Sequence, residues 1–357
     1  MPPFLQFVVR RFLVIPVSLV IITMVLYGGV MLTPPEARAS LYFPPRMNPN
    51  MTEEQFRKFE AVIIERYHLR DPFIVQYGYW VRSLLDGSWG YSPSISMEVL
   101  PALIERTPAT LELTLYSLLI FIPLGLVSGV IAGWKPYQLG DNLFRSVAFI
   151  GMTVPPFILA LLFLSFFYVK LDWFAPDRIS YTFGYEISKE TYNSPTGFIT
   201  IDALLNGRMD IFEDAVRHLA MPVMTLCLYN WATLGRITRS TIIEQRNKEF
   251  ITSARARGLP ERRVLWRHAF RSILAPSLTS IGLSAATIMT GAFIVEIIYS
   301  LHGVSEVLAR SIEGVADAPA ALGFAVYSVI IVLVLMFVID VLQAILDPRI
   351  REEVLRS

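Results

Sequence analysis

The sequence predicts an all-α polytopic membrane protein with six transmembrane helices. Hydrophobic residues fill 54% of its 357 positions and charged residues only 17%, where soluble domains average about 45–50% and about 25%. The mean hydropathy is +0.51. Six runs of 17 to 24 residues contain no Asp, Glu, Lys, Arg or His: 12–32, 113–133, 146–169, 219–235, 273–295 and 320–339. A spanning helix needs about 20 apolar residues, so these runs are the predicted spans, the fourth being the shortest.

The first run invites a second interpretation, a secretory signal peptide. Arg10 and Arg11 precede it, and Ala37, Arg38 and Ala39 resemble a cleavage site. The apolar part of a signal peptide has about 7–15 residues, whereas this run has 21. We therefore expect a retained transmembrane helix.

The distribution of Lys and Arg predicts the orientation. The loop 236–272 carries ten basic residues, and the loop between the last two runs carries one, Arg310. We expect the chain to lie in the cell (inner) membrane. Because cytoplasmic loops are enriched in basic residues, we expect the loop 236–272 and both termini on its cytoplasmic side. The eight basic residues of the long segment 33–107 count little in this rule, because long segments are translocated largely regardless of charge.

This topology predicts how the chain is organised, from its first residue to its last. The parts are a cytoplasmic N-terminus with the first helix (1–32), an extracytoplasmic segment (33–107), the second and third helices (108–169), an extracytoplasmic insertion (170–217), the fourth to sixth helices (218–346) with the cytoplasmic loop 236–272 between the fourth and fifth, and a cytoplasmic tail (347–357).

The first extracytoplasmic segment has helix signals. Thr52 and Gln55 have the spacing of a capping box, in which each side chain bonds to the backbone of the other residue. Pro72 is suited to open a second helix and Gly87 to end it. In the same way, we expect Thr107-Pro108 to cap the start of the second membrane helix.

The insertion 170–217 has no pattern that assigns its secondary structure. It holds eight aromatic residues, which are enriched at protein interfaces. Two roles stay open for it: docking or gating on the outer face, or a cap folded over the mouth of a pore.

The sequence lacks the common motifs of catalysis and cofactor binding. It contains no nucleotide-binding Gly-x-x-x-x-Gly-Lys-Ser/Thr loop and no nucleophile elbow, and its four His residues are isolated. We predict no catalytic, cofactor-binding or metal site in this chain. A net charge of +1 gives no electrostatic reason to expect nucleic acid, and Cys227 lies in an apolar run as a small buried residue.

The uncharged spans also argue against ion-coupled transport. Carriers driven by ion gradients keep ionisable groups at membrane depth. Here Glu112, Glu296 and Asp340 lie at or just beyond the ends of runs. If the chain transports a solute, we expect another subunit to supply the energy.

Two features inside the spans bear on helix packing. Gly125, Gly129 and Gly133 recur every four residues and predict close helix contact on one face. Pro155 and Pro156 interrupt the third run and predict a kink beside a pore.

Residues 248–271, KEFITSARARGLPERRVLWRHAFR, form a segment that we call the arginine-rich elbow. The small residues Ser253, Ala254 and Ala256 predict a slim helix ended by Gly258, and Pro260 predicts the start of a second short helix. A solvated basic loop near anionic lipid headgroups would explain the charge alone. It would not explain the small residues, the Gly and the Pro together.

The elbow resembles the cytoplasmic motif of binding-protein-dependent ABC importer permeases, Glu-Ala-Ala-x-x-x-Gly. Thr252, Ser253, Ala254 and Gly258 occupy that pattern, with the departures at the first two positions that are typical of the dipeptide, oligopeptide and nickel branch. Further matches to this branch follow in order: VQY at 75–77, DGSWG at 86–90, PATLEL at 108–113, PPF at 155–157, VEIIYS at 295–300, GV at 303–304 and LDPRIR at 346–351. The insertion 170–217 is longer than is usual in the branch.

The resemblance implies a type I ABC importer permease fold and half of a translocation pathway for peptides or similar oligomeric solutes. The implied partners are a related second permease, two ATPase subunits that bind ATP and Mg, and an extracytoplasmic solute-binding protein. The implied ATPase-coupling residues are Thr252, Ser253, Ala254, Arg255, Ala256, Arg257, Gly258, Leu259 and Pro260. Ala254 and Gly258 would allow close approach of the ATPase, and Arg255 and Arg257 would flank the contact.

Other function classes compete with this interpretation. A self-sufficient secondary transporter or channel is disfavoured by the uncharged spans, and a membrane enzyme by the absence of a catalytic motif. The cargo stays open among peptides, nickel chelates and oligosaccharides.

Overall fold

The computed structural model describes residues 3–44, 51–189, 192–313 and 317–346. Within these residues the chain forms two compact units. The first comprises residues 3–9, 109–301 and 335–346, and the second comprises residues 10–108 and 302–334, with the gaps just given. The predicted tail 347–357 lies outside the described residues.

Among the described residues, four helices are long and apolar enough to cross a membrane. They are α1 (Pro3–Val30), α5 (Val99–Trp134), α13 (Phe270–Tyr299) and α15 (Ala318–Leu346). A fifth span results if α6 (Leu139–Thr153) and the segment Pro156–Lys170 count as one broken span. The described chain therefore has four or five apolar spans, and the count of six is not confirmed.

The fourth predicted span lies inside α10 (Met209–Arg246), which is 38 residues long. Its uncharged run is only 17 residues and includes Asn230 and Tyr229, so its hydropathy falls short of that of a typical span. The helix begins nine residues before the predicted boundary at 218, within the insertion. The apolar pattern of α10 therefore shows less clearly than that of the other helices which of its residues lie inside the membrane.

The start of the second membrane helix also differs from the prediction. α5 begins at Val99, so Thr107 and Pro108 lie inside a helix and cap nothing. The Thr107 hydroxyl donates to the carbonyl oxygen of Leu103 one turn earlier, at 2.7 Å. The cap prediction is wrong because a Thr side chain can bond back to its own helix as well as to a free N-terminus.

In the first unit, α5 and α10 pack through the predicted glycine face. A Cβ atom on Gly129 would lie 2.5 Å from the carbonyl oxygen of Gly235 and 2.8 Å from Cβ of Thr238. Real Cβ atoms do not approach other atoms so closely, so only glycine permits this helix spacing. Gly133 makes a similar approach to Ile242 and to the backbone of Arg239. The close contact predicted for this glycine face is confirmed.

Short helices follow the proline pair in the first unit, before and within the insertion. α7 (Pro156–Phe163) continues as a π-helical turn, Leu164–Lys170, after which come α8 (Tyr181–Ile187) and α9 (Ile199–Leu205). α11 (Glu249–Ala256), α12 (Glu261–Arg263) and a second π-helical turn, Val264–Ala269, form the elbow between α10 and α13.

The second unit contains the other segment predicted to be folded. Its elements are α2 (Pro35–Ala39), a 3-10 turn (Ser40–Tyr42), α3 (Glu53–Arg66), α4 (Phe73–Leu85), the antiparallel strands β1 (Tyr91–Ser92) and β2 (Met97–Glu98), and α14 (Ser305–Ile312). The capping box at α3 is confirmed, because Gln55 N donates to Thr52 Oγ1 and Thr52 N donates to Gln55 Oε1. Tyr27 stacks on Trp80 at 4.9 Å in a buried cluster of this unit.

Candidate functional site

The elbow is a helix–turn–helix whose turn depends on Gly258. Gly258 has a φ of +73°, and its N–H donates to the carbonyl of Arg255 at 2.9 Å. The N–H of Leu259 donates to the carbonyl of Ala254 at 3.4 Å. This pair of bonds is a Schellman motif, which favours glycine because its residue is left-handed. Pro260 then precedes α12, one position before its predicted place in the helix.

One face of the elbow is buried against the rest of the first unit. Ile251 is 0% exposed and Ala254 is 4% exposed, in a cluster with Trp134, Ile242 and Val264. The small side chain of Ala254 therefore lets α11 sit close to its own bundle. Its expected role in the approach of a second protein stays a prediction.

The opposite face of the elbow is solvent-accessible and polar. Among the predicted coupling residues, Thr252, Ser253, Ala256, Arg257, Gly258 and Pro260 are exposed, and Arg255 and Leu259 are half-buried. No atom lies within 4 Å of a Cβ built on Gly258. A partner can therefore reach the end of α11 without displacing any side chain of this chain.

Arg255 holds the two helices of the elbow together. Its Nε and a terminal nitrogen donate to the two carboxylate oxygens of Glu261 at 2.7 and 3.3 Å, and its guanidinium lies 5.3 Å from the ring centre of Trp134. Hydrogen bonding to Arg255 holds the pKa of the Glu261 carboxyl below its usual range. Arg255 therefore acts within the chain, which leaves Arg257 as the freer of the two predicted flanking charges.

Comparison with known proteins gives this geometry its context. The family described as "Binding-protein-dependent transport system inner membrane component" matches residues 122–352, a range that includes the whole elbow. The chain belongs to this family. It is therefore an inner-membrane component of a binding-protein-dependent transport system.

Individual relatives in this family cover most of the chain. A di/tripeptide transport system permease protein DppB of Pseudomonas aeruginosa is 31% identical over 98% of this chain and 99% of its own length. The oligopeptide transport system permease protein AppB of Bacillus subtilis is 31% identical over 85% and 87%. The probable D,D-dipeptide transport system permease protein DdpB of Escherichia coli is 33% identical over 81% and 83%.

The third uncharged run bends sharply at Pro155 and Pro156, as predicted. α6 and the segment Pro156–Lys170 meet at an angle of 102°. Val154 is extended before Pro155, and Pro156 is the first residue of α7. Neither proline has an N–H to continue the ladder of α6, and a residue before proline avoids helical backbone angles. The kink is confirmed, and its position beside a pore stays a prediction.

The sequence analysis did not predict an ion pair between α6 and α10 in the first unit. Asp141 at the start of α6 is 1% exposed and accepts hydrogen bonds from Arg239 of α10, one of them 2.7 Å long. A charge just outside an uncharged run was the available signal, but a partner 98 positions away cannot be found by spacing.

A second such pair ties the insertion to α5. Glu112 is fully buried and accepts from Arg178 at 2.7 Å and from the N–H and hydroxyl of Thr200 at 2.9 and 2.6 Å. Arg178 also donates to the carbonyl of Gly197 at 2.7 Å. The position of Glu112 at the end of an uncharged run gave no sign of this role, in which it anchors two parts of the insertion at once.

Within the described residues, no group of three or more His, Cys, Asp or Glu is placed to hold a metal ion.

The first unit contains an open apolar groove of about 570 Å³ between α5, α6, α7 and α10. It was not predicted, because its walls come from four separate helices.

Proposed function

We propose that the chain is one permease subunit of an ATP-driven ABC importer for short peptides, forming half of the translocation pathway. The observation that carries the proposal is the 31% identity with a di/tripeptide permease over nearly the full length of both chains. A second, related permease would complete the pathway. A solute-binding protein would deliver the peptide, and two ATPase subunits, which bind ATP and Mg, would supply the energy.

The elbow is the part of the chain suited to receive an ATPase subunit. Its buried face fixes it to the bundle, and its exposed face presents Thr252, Ser253, Ala256 and Arg257. Because α11 is anchored through Ile251 and the turn is closed by Gly258, a push on the exposed face reaches α10 and α13 as a movement of packed helices. A docking loop with no fixed seat would absorb the same push.

The proposal includes an orientation. The elbow and both termini face the cytoplasm, and the insertion 170–217 faces outward, where it would dock, gate or cover the pore mouth. Replacing Arg255 by Cys in an otherwise cysteine-free chain tests this orientation. A membrane-impermeant thiol reagent should leave that Cys unlabelled in intact cells and label it after permeabilisation. Labelling in intact cells would contradict the orientation.

Co-purification and reconstituted uptake test the function itself. The chain, expressed with the neighbouring subunits of its transport system, should retain an ATPase and a second permease. In proteoliposomes the complex should take up a labelled tripeptide only with ATP and the binding protein. Uptake driven by an ion gradient without ATP would overturn the proposal.

A pair of Trp substitutions locates the ATPase contact. Ala256→Trp places a large side chain on the exposed elbow face and should abolish ATPase retention. Arg57→Trp makes a similar exposed change on α3 and should leave ATPase retention unchanged. Equal retention in the two variants would show that the elbow does not receive the ATPase.

A further inference from the structure

The apolar groove follows α10 for much of the depth of a membrane. Its α10 side runs from Val216 to Trp231, which at 1.5 Å per residue is about 22 Å. One leaflet contributes about 15 Å, half of a hydrocarbon core about 30 Å thick. Ile120 and Leu124 of α5 line it and are 41% and 54% exposed. The groove is therefore long enough for one acyl chain and is open along its side.

The polar atoms in the groove wall point away from its space. The Tyr116 hydroxyl donates to Thr200 Oγ1 at 2.9 Å, and the Trp231 indole N–H donates to Ser128 Oγ at 2.9 Å. The Cys227 thiol contacts the carbonyl of Ser117 at 3.4 Å. A peptide in this groove would leave its own backbone N–H and C=O groups without partners, at a considerable cost. Hydrocarbon carries no such cost.

The groove has a charged mouth at one end. A second cavity of about 470 Å³ shares Val216 and Ala220 with the groove and is lined by Trp173, Glu213 and Arg217. Trp is enriched where membrane meets water, which places this mouth at the level of lipid headgroups. The occupant therefore has an apolar tail and a polar head.

The two charges at the mouth are opposite in sign and are not paired with each other. Glu213 and Arg217 are four residues apart on α10, so their Cβ atoms are about 5–6 Å apart. Both are exposed, and no ion pair joins them in the described part of the chain. One Arg217 nitrogen, Nε, donates to the carbonyl of Trp173 at 2.6 Å, which fixes the guanidinium and leaves its terminal nitrogens for an anion.

We propose that this groove binds one zwitterionic phospholipid of the phosphatidylethanolamine type. One acyl chain lies along α10, the phosphate meets the Arg217 guanidinium, which can bind it through two parallel hydrogen bonds, and the ammonium meets Glu213. Phosphatidylglycerol, an anionic lipid, has the same phosphate charge but no ammonium, so nothing in its headgroup would pair with Glu213. The proposal concerns the membrane-embedded protein and does not depend on the transported solute.

The experiment uses phosphatidylethanolamine with a photoactivatable diazirine in its acyl chain. The complete transport complex is reconstituted in vesicles containing this lipid, illuminated, digested and mapped by mass spectrometry. Adducts should concentrate on the groove walls of α5 and α10 and should fall several-fold when unlabelled phosphatidylethanolamine is added. Val338 on α15 is 46% exposed and reports ordinary lipid contact, which the added lipid should dilute without saturation.

Variants that fill the groove separate a site from general lipid contact. Val216→Trp should reduce groove adducts several-fold, and Ala220→Phe should do the same through a smaller change. Val338→Trp should leave groove adducts unchanged. All three variants are compared only after they elute as intact complexes on size exclusion.

Variants at the mouth test the headgroup assignment. Arg217→Gln should weaken competition by phosphatidylethanolamine about tenfold, as expected for loss of a charge-assisted hydrogen bond. Glu213→Gln should remove the preference for phosphatidylethanolamine over phosphatidylglycerol.

Three results would overturn the proposal. The first is groove labelling that no unlabelled lipid displaces, which indicates unspecific contact. The second is a groove free of adducts in the assembled complex, which indicates that a helix of the second permease fills it. The third is equal competition by both lipids in the unchanged protein, which removes the role of Glu213.

Discussion

Removal of the Arg178 guanidinium is the sharpest test of how the insertion is held. Arg178→Met deletes the charge that faces Glu112, which is fully buried in α5. The carboxylate keeps its two bonds to Thr200 but loses its counter-charge. Met keeps the unbranched apolar stem of Arg but has no guanidinium, so the change removes the charge together with the hydrogen bonds to Glu112 and to the carbonyl of Gly197. We expect the insertion to detach far more often from α5.

The expected size follows from the burial of the pair. Breaking a buried ion pair by removing one partner costs about 3–5 kcal/mol, and the exposed fractions of these two side chains, 19% and 1%, place the pair in that class. At about 3 kcal/mol, the population of the detached insertion rises about 150-fold. Arg208 of the same insertion is the matched control. It pairs with Glu186 and Asp210 at the surface, where a pair is worth about 0–1 kcal/mol, so Arg208→Met should raise detachment by less than about fivefold.

Chymotrypsin cleavage measures detachment, because its aromatic targets in the insertion are unchanged by either substitution. When opening and closing are fast, the cleavage rate follows the population of the open form. The double variant Glu112→Gln/Arg178→Met supplies a rescue, because a neutral amide needs no counter-charge and can still accept from Thr200. Its cleavage rate should lie within about tenfold of the unchanged protein. A double variant cleaved as fast as Arg178→Met, or an Arg178→Met cleaved no faster than Arg208→Met, would refute the electrostatic reasoning.

Three further outcomes are expected from other parts of the chain. Gly258→Asn should keep ATP-driven uptake, because Asn tolerates a left-handed backbone. Gly258→Val should lose the coupling of ATP hydrolysis to uptake while the bundle stays folded, because the left-handed backbone costs Val about 1–2 kcal/mol more. Equal uptake by the two variants would show that the turn is not needed. Gly129→Leu should prevent folding of the bundle, as judged by size exclusion. The control Gly140→Leu should fold, because no atom lies within 4 Å of a Cβ at Gly140. A folded Gly129→Leu would disprove the close packing. Hydrogen bonding to Arg208 lowers the pKa of Asp210 to about 2, so the ionised carboxylate stabilises the insertion above about pH 4 and this contribution is lost as the pH falls toward 2. Pepsin, an acid protease, replaces chymotrypsin over that pH range: the difference in its cleavage of the insertion between the unchanged protein and Asp210→Asn should shrink as the pH falls, and a constant difference would rule out the ion pair.

The sequence was a reliable guide wherever the physics is local. The capping box at Thr52, the left-handed turn at Gly258 and the break at Pro155 each depend on a few neighbouring residues, and each is present. The elbow motif is local for the same reason, since its small residues, glycine and proline lie within nine positions.

The sequence was a poorer guide where a local pattern allowed two outcomes. Thr107-Pro108 has the composition of a helix start, yet α5 runs through it. The run 219–235 is uncharged, yet it belongs to a longer helix of moderate hydropathy. Helix ends depend on packing along the whole element as well as on the residues at the end, so composition alone placed them several residues away.

Composition and motif order by themselves determined that this chain is a helical membrane permease, because apolar run length and turn chemistry are properties of contiguous residues. Only the tertiary structure decided which residues make contacts between helices and which stay exposed. It turned Ala254 toward its own bundle, paired Glu112 with Arg178 across 66 positions, and assembled an apolar groove from four helices. Such contacts form between residues whose separation along the chain is arbitrary, so they become visible only when the helices pack.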